Sequence, residues 1–239
     1  MKKHAEVISD KMKIWFILLL FLLLYVRELF ALDITRKEIG FDYYGEYNLG
    51  FSYCQDFRVF AGLELNNQYT FKIGTALGTL GSVLEIKAFN SVSFSPLATR
   101  AFNLNMIYMY HGIPKYQMHS NVILPYLSYD DKWAGIAVGT IFRFTSFMDE
   151  TPIFEPMYSY SMYVNFLNNE RFLAGIKGAN FNDFYAGNTA LFLFSVYGTF
   201  FFDKRWALTN ELGVFQNASA IFSGTFYGFS YRGGIRCSY

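Results

Sequence analysis

Ionisable side chains are sparse in this sequence, and their spacing is what could do chemistry. Eight bases and five acids fall at alternate positions of segments that are otherwise apolar. They are Arg58, Lys72, Lys87, Arg143, Arg171, Lys177, Arg232 and Arg236, with Asp42, Glu46, Glu64, Glu85 and Glu211. Charges at every second or fourth place put the ions on one side of an extended chain. Such a side can line a wet axis and steer small polar solutes, or its members can neutralise one another. Catalysis finds fewer parts. After residue 32 the only histidines are His111 and His119, and no serine can be paired with either from spacing. Across a short loop the two could meet as metal ligands, but two ligands are too few. A hairpin centred on Gln55 would set Glu46 against Glu64, with Arg232 or Lys72 at hand to neutralise the pair. No CxxC, phosphate loop or catalytic signature is present, so neither enzyme activity, cofactor nor metal is expected.

Composition narrows the elements that position these residues. The chain has 239 residues and a net charge of +1; 53% are hydrophobic, 21% aromatic and only 16% charged. Soluble domains carry about a quarter charged residues. The near-zero charge argues against a nucleic-acid partner. Cys54 and Cys237 are too few for a disulfide scaffold.

Residues 1–31 read as a cleaved secretory signal. Lys2, Lys3, Lys11 and Lys13 precede the apolar run 14–25, which is short for a membrane helix, and Ala31 offers a cleavage point. Met12, followed by Lys13, would make a tidier start. An uncleaved anchor is the other reading.

Residues 32–239 show period-two alternation and no trustworthy helical period. Twelve strands are expected, roughly over 41–53, 57–66, 69–78, 83–94, 101–111, 119–129, 133–145, 157–167, 171–181, 189–201, 205–216 and 224–239. Ten strands are possible, because strand 6 (VILPYLSY) is apolar on both faces and 112–118 is weakly patterned. Most are long enough to cross a bilayer at a tilt. Each has an ionless apolar face, such as Phe102, Leu104 and Met106 or Ile136, Val138 and Phe142; Asn210 is the awkward polar residue. Tight turns at Asn66-Asn67, Asp130–Lys132, Asn168–Glu170 and Asp203-Lys204, with a Ser-Pro turn at 95–100, fall on the side of the termini. Longer loops, the longest at 146–156, fall on the other. Tyr129, Trp133, Phe166, Phe172, Phe200 and Trp206 flank the tight turns, and with Phe41 and Tyr239 would ring one membrane interface.

The fold class expected is therefore all-β, a closed antiparallel transmembrane β-barrel. Membrane strands must satisfy every backbone group, so strand 12 must pair with strand 1. Opposed residues of an antiparallel pair share a constant index sum. Arg236 against Asp42 and Arg232 against Glu46 both give 278, which predicts ion pairs across the seam. The two cysteines then sit at opposite rims, too far apart to bridge.

The last strand, YGFSYRGGIRCSY, alternates Phe229, Tyr231, Gly233 and Ile235 and ends on Tyr239. In this it resembles the bacterial outer-membrane β-barrel proteins, small porin-like barrels among them. The resemblance implies an outer-membrane location in a Gram-negative-type envelope, lipid around the barrel, and an assembly machinery that reads Phe229, Tyr231, Ile235 and Tyr239.

A soluble barrel would hide the apolar face inside and leave strands 5, 8 and 10 with no charge outside. Twelve tilted strands give a diameter of roughly 24 Å and, after two side-chain layers, a lumen of roughly 10 Å. A narrow passive channel for small polar solutes, with mild anion preference, is the leading expectation. A non-conducting barrel with a salt-bridged interior, or a surface-binding barrel acting through Asp149, Glu150, Phe154 and Glu155, is the alternative.

Overall fold

A computed structural model describes residues 34–48, 52–96, 101–148, 150–186, 191–217 and 226–239. The expected signal segment, Met12, Asp149 and nearly all of the 217–223 loop lie outside these residues.

Twelve antiparallel strands close into a barrel. In chain order they are β1 (Ile34–Asn48), β2 (Ser52–Leu65), β3 (Tyr69–Leu80), β4 (Val83–Phe94), β5 (Phe102–Ile113), β6 (Met118–Asp130), β7 (Ala134–Phe147), β8 (Ile153–Asn168) and β9 (Phe172–Ala179), then β12 (Leu191–Phe201), β13 (Trp206–Asn217) and β14 (Phe226–Ser238). Each pairs with its sequence neighbour, except that β9 bonds directly to β12. Between those two a small hairpin, β10 (Phe181–Asn182) and β11 (Tyr185–Ala186), forms its own two-stranded sheet.

The two faces of each strand go where their chemistry sends them. Phe57, Leu77, Phe102, Leu127, Val138 and Met162 are 51–56% exposed, whereas Asp42, Asp56, Arg58 and Glu85 are 0–3% exposed. The apolar face is thus the outside of a closed wall, an arrangement water would penalise and hydrocarbon rewards by about 25 cal/mol per Å². In β6 the phase is settled: Ile123, Leu127 and Tyr129 point out, while Val122, Leu124 and Ser128 are buried inside. Outward Asn210 is partnered by the Tyr231 hydroxyl, which donates to its Oδ1 over 3.1 Å.

The tight turns follow from their residues. Asn66 and Asn67 both take positive φ (50° and 58°) in the three-residue connection Asn66–Gln68, where the Gln68 N–H donates to the Leu65 carbonyl over 3.0 Å. Asn169 Oδ1 accepts from the backbone N–H groups of Arg171 and Phe172, and Asp203 Oδ1 from those of Arg205 and Trp206.

Several expectations are corrected. β1 spans Ile34–Asn48 rather than 41–53, starting seven residues earlier, and β2 begins at Ser52, so 54–56 belongs to β2. Phe41 consequently stands deeper than Tyr239, whose backbone pairs with Lys37. The longest loop shrinks to 148–152, because 146–147 and 153–156 extend β7 and β8.

The seam pairs β1 with β14, as barrel closure requires, but at index sum 276: Asp42 faces Gly234, Tyr44 faces Arg232 and Glu46 faces Ser230. The physical reason is steric. Gly234 offers no Cβ, and one placed there would overlap the Asp42 carboxylate. A two-residue slip leaves every side chain on its face, so alternation alone could not choose.

Candidate functional site

The candidate functional site is the barrel interior, and it has two unlike halves. On the tight-turn side lies a cavity of about 680 Å³ that reaches the rim at Asn67 and Asp130. Its walls are rich in hydroxyls and amides, such as Thr70, Asn103, Asn105, Ser128 and Thr199. Lys72, Lys177, Arg232 and Arg236 line it, opposed by Glu64, Asp130, Asp183 and Glu211. Such a wall suits water and small polar solutes.

On the loop side the interior is packed. The inner faces of β2–β7 carry Phe60, Phe89, Ile107, Met109, Val122, Leu124 and Ile141, all buried. The β10–β11 hairpin folds onto this apolar wall through Phe181 and Phe184. Phe184 meets Phe89 edge-on with ring centres 4.7 Å apart, Phe181 packs on Tyr126 at 5.1 Å, and Tyr185 on Phe215 at 6.2 Å. Arg143 donates to the Ala186 carbonyl and reaches Glu155 at 3.7 Å.

Above this packing sits a buried ionic network. Asp56, fully buried, receives Arg58 Nη2 at 3.0 Å and Lys87 Nζ at 3.0 Å. Lys87 also lies 2.9 Å from Glu85, and His111 Nε2 is 3.1 Å from Glu85 Oε1. The Arg58 guanidinium is stacked 3.9 Å from the Tyr44 ring and 5.0 Å from Phe184. Asp56 escaped the sequence reading because 54–56 looked like a turn. Cys54, Asp56 and Glu85 bring ligand atoms within 4.8 Å of one another. The Lys87 ammonium already stands among them, 3.8 Å from Cys54 Sγ, and supplies the positive charge a metal would.

The remaining sequence candidates scatter along the axis. Across the seam Arg232 binds Asp42, its Nε donating over 2.8 Å, and Arg236 lies 3.7 Å from Glu38, a residue the sequence reading omitted. Glu46 accepts from the Tyr44 hydroxyl, while the Glu64 backbone accepts from Thr35 near the other end; the carboxylate pair does not form. Among the described residues Lys72 and Lys177 make no ion pair within 4 Å. Arg171 is exposed in the β8–β9 turn and not on the wall. Phe229, Tyr231, Ile235 and Tyr239 are all on the outward face, 42–59% exposed.

The histidines face opposite ways. His111 points inward to Glu85, and His119 points outward, 2.8 Å from the Tyr110 hydroxyl. Ser120 stands opposite His111 in the ladder, yet its Oγ is bonded to Thr145 Oγ1 at 3.3 Å. Among the described residues no serine is hydrogen-bonded to a histidine. The two cysteines are free, Cys54 inside near the loop end and Cys237 at the tight-turn end.

Beside the hairpin, sharing Lys177, Phe181, Asn182, Glu211 and Arg232 with the cavity wall, lies a narrower space of about 20 Å³, a neck with room for about one water. Tyr44, Arg58, Phe181, Asn182, Lys177 and Arg232 are among its walls. The hairpin therefore narrows the axis from one side, and the β1–β14 seam bounds it on the other.

A closed twelve-stranded wall, apolar outside and ionic within, is the fold of the outer-membrane porin-like barrels. Solved structures with this fold include the KdgM porin, at 14% identity and a TM-score of 0.51, over 84% of this chain and 99% of that one. The NanC porin aligns at 11% identity and 0.54, over 82% and 98%. An outer membrane channel from Pseudomonas putida F1 aligns at 9% identity and 0.56, over 87% and 97%. No family model matches the chain, and no curated protein matches it.

Proposed function

We propose that this protein is a narrow passive channel of a bacterial outer membrane, reached through a cleaved signal peptide over 1–31. The observation that carries the reading is the polar cavity of about 680 Å³ inside a closed barrel, with the narrower neck adjoining it beside the hairpin. Balanced charge in the cavity and a wall of hydroxyls and amides fit small hydrophilic solutes rather than one tightly bound ligand. Lys72 and Lys177, which no carboxylate neutralises at close range among the described residues, give a mild anion preference. The porins and the channel that share its fold support the same class of activity. Lipid contacts the outward aromatics, and the outward set Phe229, Tyr231, Ile235 and Tyr239 is the signal for the assembly machinery.

The second reading is a non-conducting barrel. The one-water neck and the paired charges of Asp56, Arg58, Glu85 and Lys87 favour it. Purified barrel reconstituted in planar bilayers decides between them. Discrete current steps are expected; a correctly inserted barrel that stays silent ends the channel reading.

A further inference from the structure

The neck is more basic than the cavity that feeds it. Arg58, Lys177 and Arg232 line it against a single carboxylate, Glu211. The carboxylates that neutralise the two arginines, Asp56 and Asp42, are both 0% exposed and do not line the neck. A passing ion therefore meets guanidinium groups first, with their counter-charges behind them, and at short range the nearer charge dominates.

Two further observations point the same way. Arg58 Nε is buried and has no hydrogen-bond partner, although the same guanidinium is held by Asp56 and by the Tyr44 ring. A buried N–H donor left unpaired is costly, and an anion or its hydrating water in the neck would satisfy it. In addition, Lys177 and Arg232 line both the cavity and the neck. They stand where the two spaces meet, so the same two cations face both. Glu211 is occupied in part by the Ser195 hydroxyl, which donates to it over 2.6 Å.

We infer that the neck is a selectivity constriction for small monovalent anions, with Arg58, Lys177 and Arg232 as its specificity-determining residues. This rests on the channel reading and names the charge class it passes. Asn182 of the hairpin faces the same space, so an anion of water size fits only by exchanging its hydration for these donors.

Lys177 is the residue to change, because its loss strands no carboxylate. Reversal potentials are measured across planar bilayers in a potassium chloride gradient for the wild type, Lys177→Gln, Lys177→Glu and Lys132→Gln. Lys132 lies in the exposed β6–β7 turn, away from the neck. The wild type is expected to favour chloride, with the chloride-to-potassium permeability ratio falling stepwise and several-fold from Lys177→Gln to Lys177→Glu, and unchanged in Lys132→Gln. Currents with a ratio indifferent to Lys177, or a cation-preferring wild type, overturn this inference and leave the channel standing. A silent wild type overturns both.

Discussion

A buried ion pair crosses the seam that closes the barrel, and its removal has a calculable cost. Asp42 is fully buried and Arg232 is 19% exposed, and the pair joins strands 190 residues apart in sequence. A surface ion pair is worth about 0–1 kcal/mol, whereas stripping one partner from a buried pair costs about 3–5 kcal/mol, because the other charge is left without compensation. Arg232→Gln leaves Asp42 with no cation and stands near the upper figure. Asp42→Asn is milder, since Glu211 lies directly opposite Arg232 in the ladder. In the double variant neither charge is stranded, so the two losses must not add; a coupling of about 2–3 kcal/mol is expected. Urea unfolding of the barrel in lipid vesicles, followed by tryptophan fluorescence, measures all four proteins. Additive losses, with coupling under about 0.5 kcal/mol, would refute the reasoning and mean that the interior at Asp42 is as wet as a protein surface.

Two smaller predictions use the outer wall and a turn. Tyr231→Phe leaves Asn210 Oδ1 without its donor on the lipid face and costs about 1–3 kcal/mol; adding Asn210→Leu recovers the loss in the same urea assay, and a Tyr231→Phe barrel as stable as the wild type contradicts the contact. At the β12–β13 turn the Asp203 carboxyl is held below its ordinary value, first by the Arg205 backbone N–H and then by that of Trp206. Its stabilising effect is present above the unfolded-chain value and is lost as pH falls through the lower folded one. The stability gap between wild type and Asp203→Ala therefore narrows in acid below about pH 4, and a gap independent of pH rules this out.

Alternation made the twelve strands and the direction of their faces legible, because a strand that meets lipid on one side cannot hide its period. The register of the seam was not legible. Arg232 and Arg236 can reach Asp42 in one register and its neighbours in another, and the choice fell to the bulk of Asp42 beside Gly234. The hairpin was also missed. FNDFYA (181–186) carries three aromatics in what reads as a strand end and loop, and nothing local says they turn inward. The available signal lay elsewhere, in Ile107, Met109, Val122, Leu124 and Ile141, apolar residues on faces that should have been polar. An apolar inner wall needs something apolar to cover it. Asp56 and Glu38 were lost with misplaced strand starts, so the count of interior acids came out too low.

The account's central claim is that the axis is a passage narrowed by the β10–β11 hairpin. Single-channel current in planar bilayers, compared between the wild type and a barrel whose residues 181–186 are replaced by a Gly-Ser segment of equal length, tests it most directly. Small steps for the wild type and steps several-fold larger for the replacement are predicted, because Phe181 and Phe184 no longer fill the loop-side half. Equal steps from the two barrels would contradict it.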